Sequence, residues 1–258
     1  MNKVKLACMA VLASATFTAA QAGAYSVTIT DSYRGSNKAD VVGDSRIFDV
    51  NQMVVNFSGS RLSSVDISTS YVKPLTDVGA SGTMLGDLFV STNGYGATNM
   101  TSDTMFTGEQ WEYALVLSQH DFGCSLPGER DRTISLYRVA GDRSNIVKSY
   151  APYGYIYREN QETLINKSKP VYLLGTIGTW DINNTQAGGY GILSFELTNT
   201  ALVDRYLGSG NFGFHWNMTC GNDTIEGGAS APVPEPSTFV LLGAGLLGAG
   251  LYRRKRKS

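Results

Sequence analysis

The chain has 258 residues, 42% of them hydrophobic, with 21 lysines and arginines against 22 aspartates and glutamates. That apolar share excludes a disordered polyelectrolyte, and the near balance of charge excludes the dense basic surface that nucleic-acid binding needs. The balance is uneven along the chain: Lys3, Lys5 and the run Arg253–Lys257 hold seven of the 21 cations, leaving fourteen in residues 23–252 against all 22 acidic groups. The body is therefore mildly acidic, which favours solubility and gives no footprint for anionic lipid.

Residues 1–22 open with Lys3 and Lys5, run apolar from Leu6 to Ala20 and end Ala20-Gln21-Ala22. A charged start, an apolar middle and small residues before a cut predict a secretory signal peptide, cleaved after Ala22. Its partners are the Sec translocon and signal peptidase.

From residue 25 to 226 the pattern is that of one domain, β throughout. Strands are predicted at Tyr25–Thr30, Met53–Phe57, Ser64–Val72, Asp87–Ser91, Trp111–Leu117 and Thr133–Val139. Further strands are expected at Tyr153–Tyr157, Val171–Leu174, Ile192–Leu197 and Phe212–Met218, with one or two helical turns at Thr200–Leu207. Short strands separated by Gly, Asn, Asp and Ser predict an all-β fold, an antiparallel β-sandwich of jelly-roll type.

Within this ectodomain the chemistry-bearing residues are sparse. Cys8 leaves with the signal peptide, so an oxidising compartment favours pairing of Cys124 with Cys220, closing a loop worth roughly 4–5 kcal/mol, over a Cys/His nucleophile built from Cys124 and nearby His120. Asp31, Asp40, Asp44 and Asp49 form an acidic stretch in which Asp40 and Asp44 could offer oxygens to calcium, although Asp equally serves turn chemistry. Asn222, Asp223 and Glu226 beside Cys220 carry the same ambiguity. No other cofactor or metal is expected. His120 and His215 are the two histidines and show no zinc-ligand spacing, and neither a Gly-x-Ser-x-Gly elbow nor a phosphate-binding glycine loop occurs. Glu112 and Glu196, on predicted strands, are the pair a carbohydrate-active hydrolase would use, since that chemistry leaves no local motif. Trp180, near Gly188, Gly189 and Gly191, is the candidate for contact with a sugar ring.

The end of the chain is the most specific stretch. Residues 227–236 are rich in Gly, Ala and Pro and read as a linker. A tail over 233–258 then joins Val233-Pro234-Glu235-Pro236-Ser237, an uncharged apolar segment 238–252, and the cations Arg253, Arg254, Lys255, Arg256 and Lys257. Pro236 fits the first turn of a helix, and a helix over Thr238–Leu251 would be about 21 Å long against roughly 30 Å of hydrocarbon. The basic run marks the side that stays inside. A short transmembrane helix serving a temporary anchor is the expectation.

This tail resembles the PEP-CTERM sorting signal of bacterial surface proteins, on the Pro-Glu-Pro motif, the apolar run and the basic cluster. The resemblance implies exosortase as a partner and cleavage near the motif. It implies an inner-membrane-anchored precursor, delivered afterwards to the cell surface or exopolysaccharide matrix of a Gram-negative-type bacterium. The blocks Asp40–Asp44, Gly86–Thr92, Trp111–Tyr113 and Cys220–Gly227 are similar to stretches shared among exosortase-dependent surface proteins, and imply location, not chemistry. The expected function is a non-enzymatic structural or adhesive surface protein that could hold polysaccharide. The rival is a secreted hydrolase with two acidic catalytic residues.

Overall fold

The computed structural model describes residues 23–31, 40–72, 83–96, 111–118, 132–139, 143–150, 157–183, 190–208 and 210–232, with Leu242, Gly243, Gly245, Leu246 and Arg253. Two compact units divide the chain: residues 22–233 form one, and residues 1–21 with 234–258 the other. The expected signal peptide with Ala20 and Ala22, the motif Val233–Ser237 and Cys124 lie outside the described residues. In the second unit Leu242, Gly243, Gly245, Leu246 and Arg253 are helical. Among the described residues no helix is long and apolar enough to cross a membrane.

The larger unit is antiparallel β. Its strands are β1 (Ala24–Thr30), β2 (Val50–Ser58), β3 (Arg61–Thr69), β4 (Leu88–Ser91), β5 (Tyr113–Leu117), β6 (Thr133–Arg138), β7 (Ile146–Lys148), β8 (Glu162–Ile165), β9 (Tyr172–Asn183), β10 (Gly191–Glu196), β11 (Asn211–Asn217) and β12 (Thr224–Ser230). Helix α1 spans Ser45–Phe48. Helix α2, Thr200–Leu202, runs into a π turn at Val203–Leu207 and stops at Gly208 with φ 62°, a conformation open to glycine.

Ten strands make one sheet in the order β1-β2-β3-β10-β9-β6-β5-β4-β11-β12, while β7 and β8 pair separately. Alternation explains the inner face: Met53, Val55 and Phe57 on β2 and Leu193 and Phe195 on β10 point into one core, while Val54, Asn56 and Ser194 face out. The sheet rolls until its edges meet. Ile29 of β1 shares that core with Ile225 and Ala229 of β12, and a Cβ on Gly227 would stand 2.6 Å from Ile29 Cγ2. The predicted all-β antiparallel class holds, but hydrogen bonding does not divide these strands into the two facing sheets expected of a jelly roll. Register shifts where β6 meets β9, with Gly175 at φ 143°, let the long β9 bend through the curve.

A second layer covers part of the outside. Phe89, Ala114 and Val116 turn outward from β4 and β5 into a smaller core with Trp111, Val139, Ile146 and Ile165. Buried on both faces, β4 and β5 read as unbroken apolar runs in place of an alternation. The sheet β7–β8 is part of this cover. Neither strand was predicted, and β12, with Gly227 and Gly228, was read as linker. Gly227–Ser230 is strand, and Ala231 is buried, so the domain extends past residue 226. Ser70–Val72, expected as strand, is a 3-10 turn.

Because every pairing in the ten-stranded sheet is antiparallel, an even count places the start of β1 and the end of β12 at the same rim. The chain thus enters β1 and leaves β12 at one end of this unit.

Candidate functional site

At that near rim lies an open groove of about 450 Å³. Asn93, Gly94 and Tyr95, after β4, form one side; Asn211, Gly228 and Ser230, from the paired ends of β11 and β12, form the other. The glycines fit the loop to the sheet: a Cβ on Gly213 would meet Gly94 O at 2.8 Å, and one on Gly228 would meet Tyr95 Cβ at 3.0 Å. Tyr95 is fixed by donating its hydroxyl to Glu226 Oε2 at 3.0 Å, and Asn93 Nδ2 donates to Glu112 Oε1 at 2.7 Å. The lining is amide, hydroxyl, glycine and aromatic, with no ionisable acid or base among its residues apart from the phenol of Tyr95.

The opposite rim is acidic. Asp31 follows β1, Asp40 precedes α1 and Asp223 precedes β12, and one carboxylate oxygen of each lies within 4.8 Å of the others. Asp223 is fully buried, accepting from Val50 N at 2.6 Å and Thr224 N at 2.9 Å. Burial, with the charges of Asp31 and Asp40, pushes its carboxyl up to about 9. Arg158 donates to Asp40 O at 2.5 Å and lowers the carboxyls of Asp40 and Asp223 against that trend. Asp49 accepts from Tyr190 at 2.5 Å, which pushes the phenol up to about 12.

Of the two calcium candidates, Asp40 joins this trio and Asp44 does not. Asp44 instead caps α1 through Arg46 N at 2.9 Å and pairs with the Arg46 guanidinium, which holds its carboxyl down at about 2. Calcium takes six to eight oxygens, so three carboxylates are half a ligand set.

The remaining sequence candidates disperse. Trp180 is 1% exposed, packed in the main core beneath the Arg132 guanidinium, and offers no ring face to a sugar. Trp111 and Trp216 are equally buried. Among the described residues the large aromatic side chains exposed to solvent are tyrosines, with Tyr172 the most open at 59%. Glu112 lies at the Val139 end of β5, its carbonyl accepting from Val139 N, whereas Glu196 is in register with Thr179 and so with Thr133, beside Ser118. Six residues of strand separate those levels, about 20 Å, beyond the roughly 5–10 Å that glycoside cleavage requires. Cys220 is a buried free thiol, pushed up to about 11 by desolvation. Its expected partner falls outside the described residues.

Sequence reasoning treated His215 as an ordinary polar contact and missed its surroundings. Phe212, Phe214 and Trp216 turn inward, so His215 turns outward beneath the second layer, where it is 1% exposed. Its Nδ1 contacts Glu226 Oε1, its cross-strand neighbour, and its Nε2 lies 2.6 Å from the carbonyl oxygen of Glu162 on β8. The ring stands 5.6 Å from Trp111 and 5.9 Å from Phe89. The sequence signal was the polar residue set between alternating aromatics.

The fold is thus that of a rolled β-domain with both flanking segments leaving one rim. A family model for the PEP-CTERM protein-sorting motif matches residues 232–257, beginning two residues after β12 ends. The chain carries that motif. No curated protein and no solved structure matches the chain.

Proposed function

We propose that this protein is an exported structural or adhesive component of a bacterial surface or extracellular matrix, held briefly in the membrane by its tail and released by exosortase at the Pro-Glu-Pro motif. The observation that carries this reading is the sorting motif at residues 232–257. The shared rim supports it: a domain tethered there presents the rest of its surface outward during transit.

Polysaccharide is the ligand class that suits the matrix setting. The groove beside Tyr95 supports that choice over Trp180, because amides, hydroxyls and an aromatic ring without a formal charge suit a neutral polyhydroxylated chain. The hydrolase reading has no such support, since Glu112 and Glu196 stand too far apart to share a glycosidic bond.

Intact mass and location of the protein in its host, with and without exosortase, test the sorting step. Removal of residues 1–22 and of the segment after the motif, the latter only when exosortase is present, is the expected result. A tail retained in both strains refutes it.

A further inference from the structure

The second layer is laced to the main sheet by polar contacts along almost the whole of β8. Asp87 N donates to Thr163 O at 2.8 Å, and Asp87 Oδ2 accepts from Ile165 N at 2.8 Å. Trp111 Nε1 donates to Glu162 Oε2 at 2.5 Å, and Thr224 Oγ1 donates to Gln161 Oε1 at 3.2 Å. At the centre is the contact of His215 Nε2 with the Glu162 carbonyl.

Both atoms that His215 faces, a carboxylate oxygen and a carbonyl oxygen, are acceptors, so the ring satisfies them together only when each nitrogen carries a hydrogen. Neutral imidazole has one hydrogen to give. Kept on Nδ1, it preserves the bond to Glu226 within the β11–β12 pair, and a lone pair then opposes the Glu162 carbonyl at 2.6 Å. Asn217 Nδ2, 3.3 Å from Nε2, is placed to donate to that lone pair once β8 withdraws.

We propose that protonated His215 latches the β7–β8 layer to the sheet, and that loss of this proton releases the layer while the rolled sheet stays closed.

The groups facing His215 favour the charged ring. Glu226 approaches from β12 and Glu162 from β8. Asp87 stands before β4, Trp111 precedes β5, and Tyr95 reaches Glu226 from the groove loop. Burial opposes the charge, but Glu226 and then Glu162 outweigh it, so His215 holds its proton above the ordinary imidazole range. The sign follows. A group whose proton affinity rises on folding contributes fully below its unfolded value, about 6.5, and loses that contribution as the pH climbs through its folded value.

Hydrogen exchange of the mature protein between pH 6 and 10, corrected for intrinsic chemistry, tests the latch. The opening constant of amides in Ile146–Lys148 and Glu162–Ile165 should rise with pH by up to tenfold per unit between the open-state value of His215, near 6.5, and its higher folded value, and level off above it, as one linked proton dictates. Amides of β2 and β3 should show no such slope. In His215→Gln the layer should open to a constant extent at every pH. Should that variant fail to fold, imidazole nitrogen shifts in His120→Gln, which leaves one histidine, decide the matter. Two N–H groups at pH 7 support the latch, and a neutral ring overturns it. A flat hairpin profile, or a slope that survives in His215→Gln, also overturns it.

Discussion

Gly86 is where the second layer, β11 and the start of β4 converge, and replacing it with alanine tests the packing that places His215. A Cβ there would lie 2.2 Å from Asn217 O and 2.9 Å from Thr163 O, backbone atoms of two different layers. An ordinary contact is near 3.4 Å, so one strand or the other must move by more than an ångström. The bonds at risk are Gly86 N to Asn217 O at 3.1 Å, Asp87 N to Thr163 O at 2.8 Å and Trp216 Nε1 to Gly86 O at 3.2 Å. Losing two of these buried bonds at about 1–3 kcal/mol each predicts a destabilisation of about 4 kcal/mol for Gly86→Ala. For a domain of this size that lowers the melting temperature by about 8–16 °C. Because Thr163 belongs to β8, movement of that strand should also expose Trp111, shifting its fluorescence to the red before the main unfolding transition. Gly96→Ala, where nothing lies within 4 Å of the added atom, is the control and should melt with the parent. A Gly86→Ala protein melting within about 2 °C of the parent, with unaltered fluorescence, would refute this packing.

Two further predictions concern the thiol and the groove. Cys220, buried and pushed up to about 11 as a thiol, should resist maleimide at pH 7 in the folded protein and label fully in denaturant with reductant, and rapid labelling of the native state would contradict its placement. Gly228→Val, which fills the wall opposite Tyr95, should cut co-sedimentation with the host's matrix polysaccharide at least fivefold, while Trp180→Phe, changing a buried ring, leaves it unaltered in protein that remains folded. Equal retention by the parent and Gly228→Val would remove the groove from the binding surface.

What the sequence made legible follows from burial. Strands with one wet face, such as β2 and β10, announce themselves by alternation. The buried β4 and β5 are equally visible as apolar runs bounded by turns. β12 escaped because Gly227 and Gly228 look like linker; their missing side chains admit Ile29 on one face and Tyr95 on the other, a requirement that exists only after the sheet has rolled. β7 and β8 are three and four residues long, too short for a period to emerge. The sorting motif at residues 232–257 was readable because its parts are contiguous and ordered. The acidic trio joins residues nine to nearly two hundred positions apart, and neither composition nor spacing brings Asp223 to Asp31 and Asp40. Trp180 failed as a surface candidate for the opposite reason: neighbouring glycines suggested an open loop, whereas alternation along β9 turns its ring inward with Ile182.

The sheet comes close to closing, its edge strands β1 and β12 packed together without a hydrogen-bonded ladder between them, and this bears on how such a protein could act in a matrix. An open sheet edge carries unpaired N–H and C=O groups and invites another strand, a route to polymers by strand addition. Here the two edge strands, β1 and β12, lie against one another, with Ile29, Ile225 and Ala229 sharing the core behind them. Assembly through these edges would require parting that seam and exposing core residues that are at most 8% accessible. In the proposed matrix role, contacts with other components would therefore fall to the faces and rims of the domain. On the proposed reading, cutting at Pro-Glu-Pro would trim the chain a few residues beyond β12, on whose last residues the uncharged groove is built.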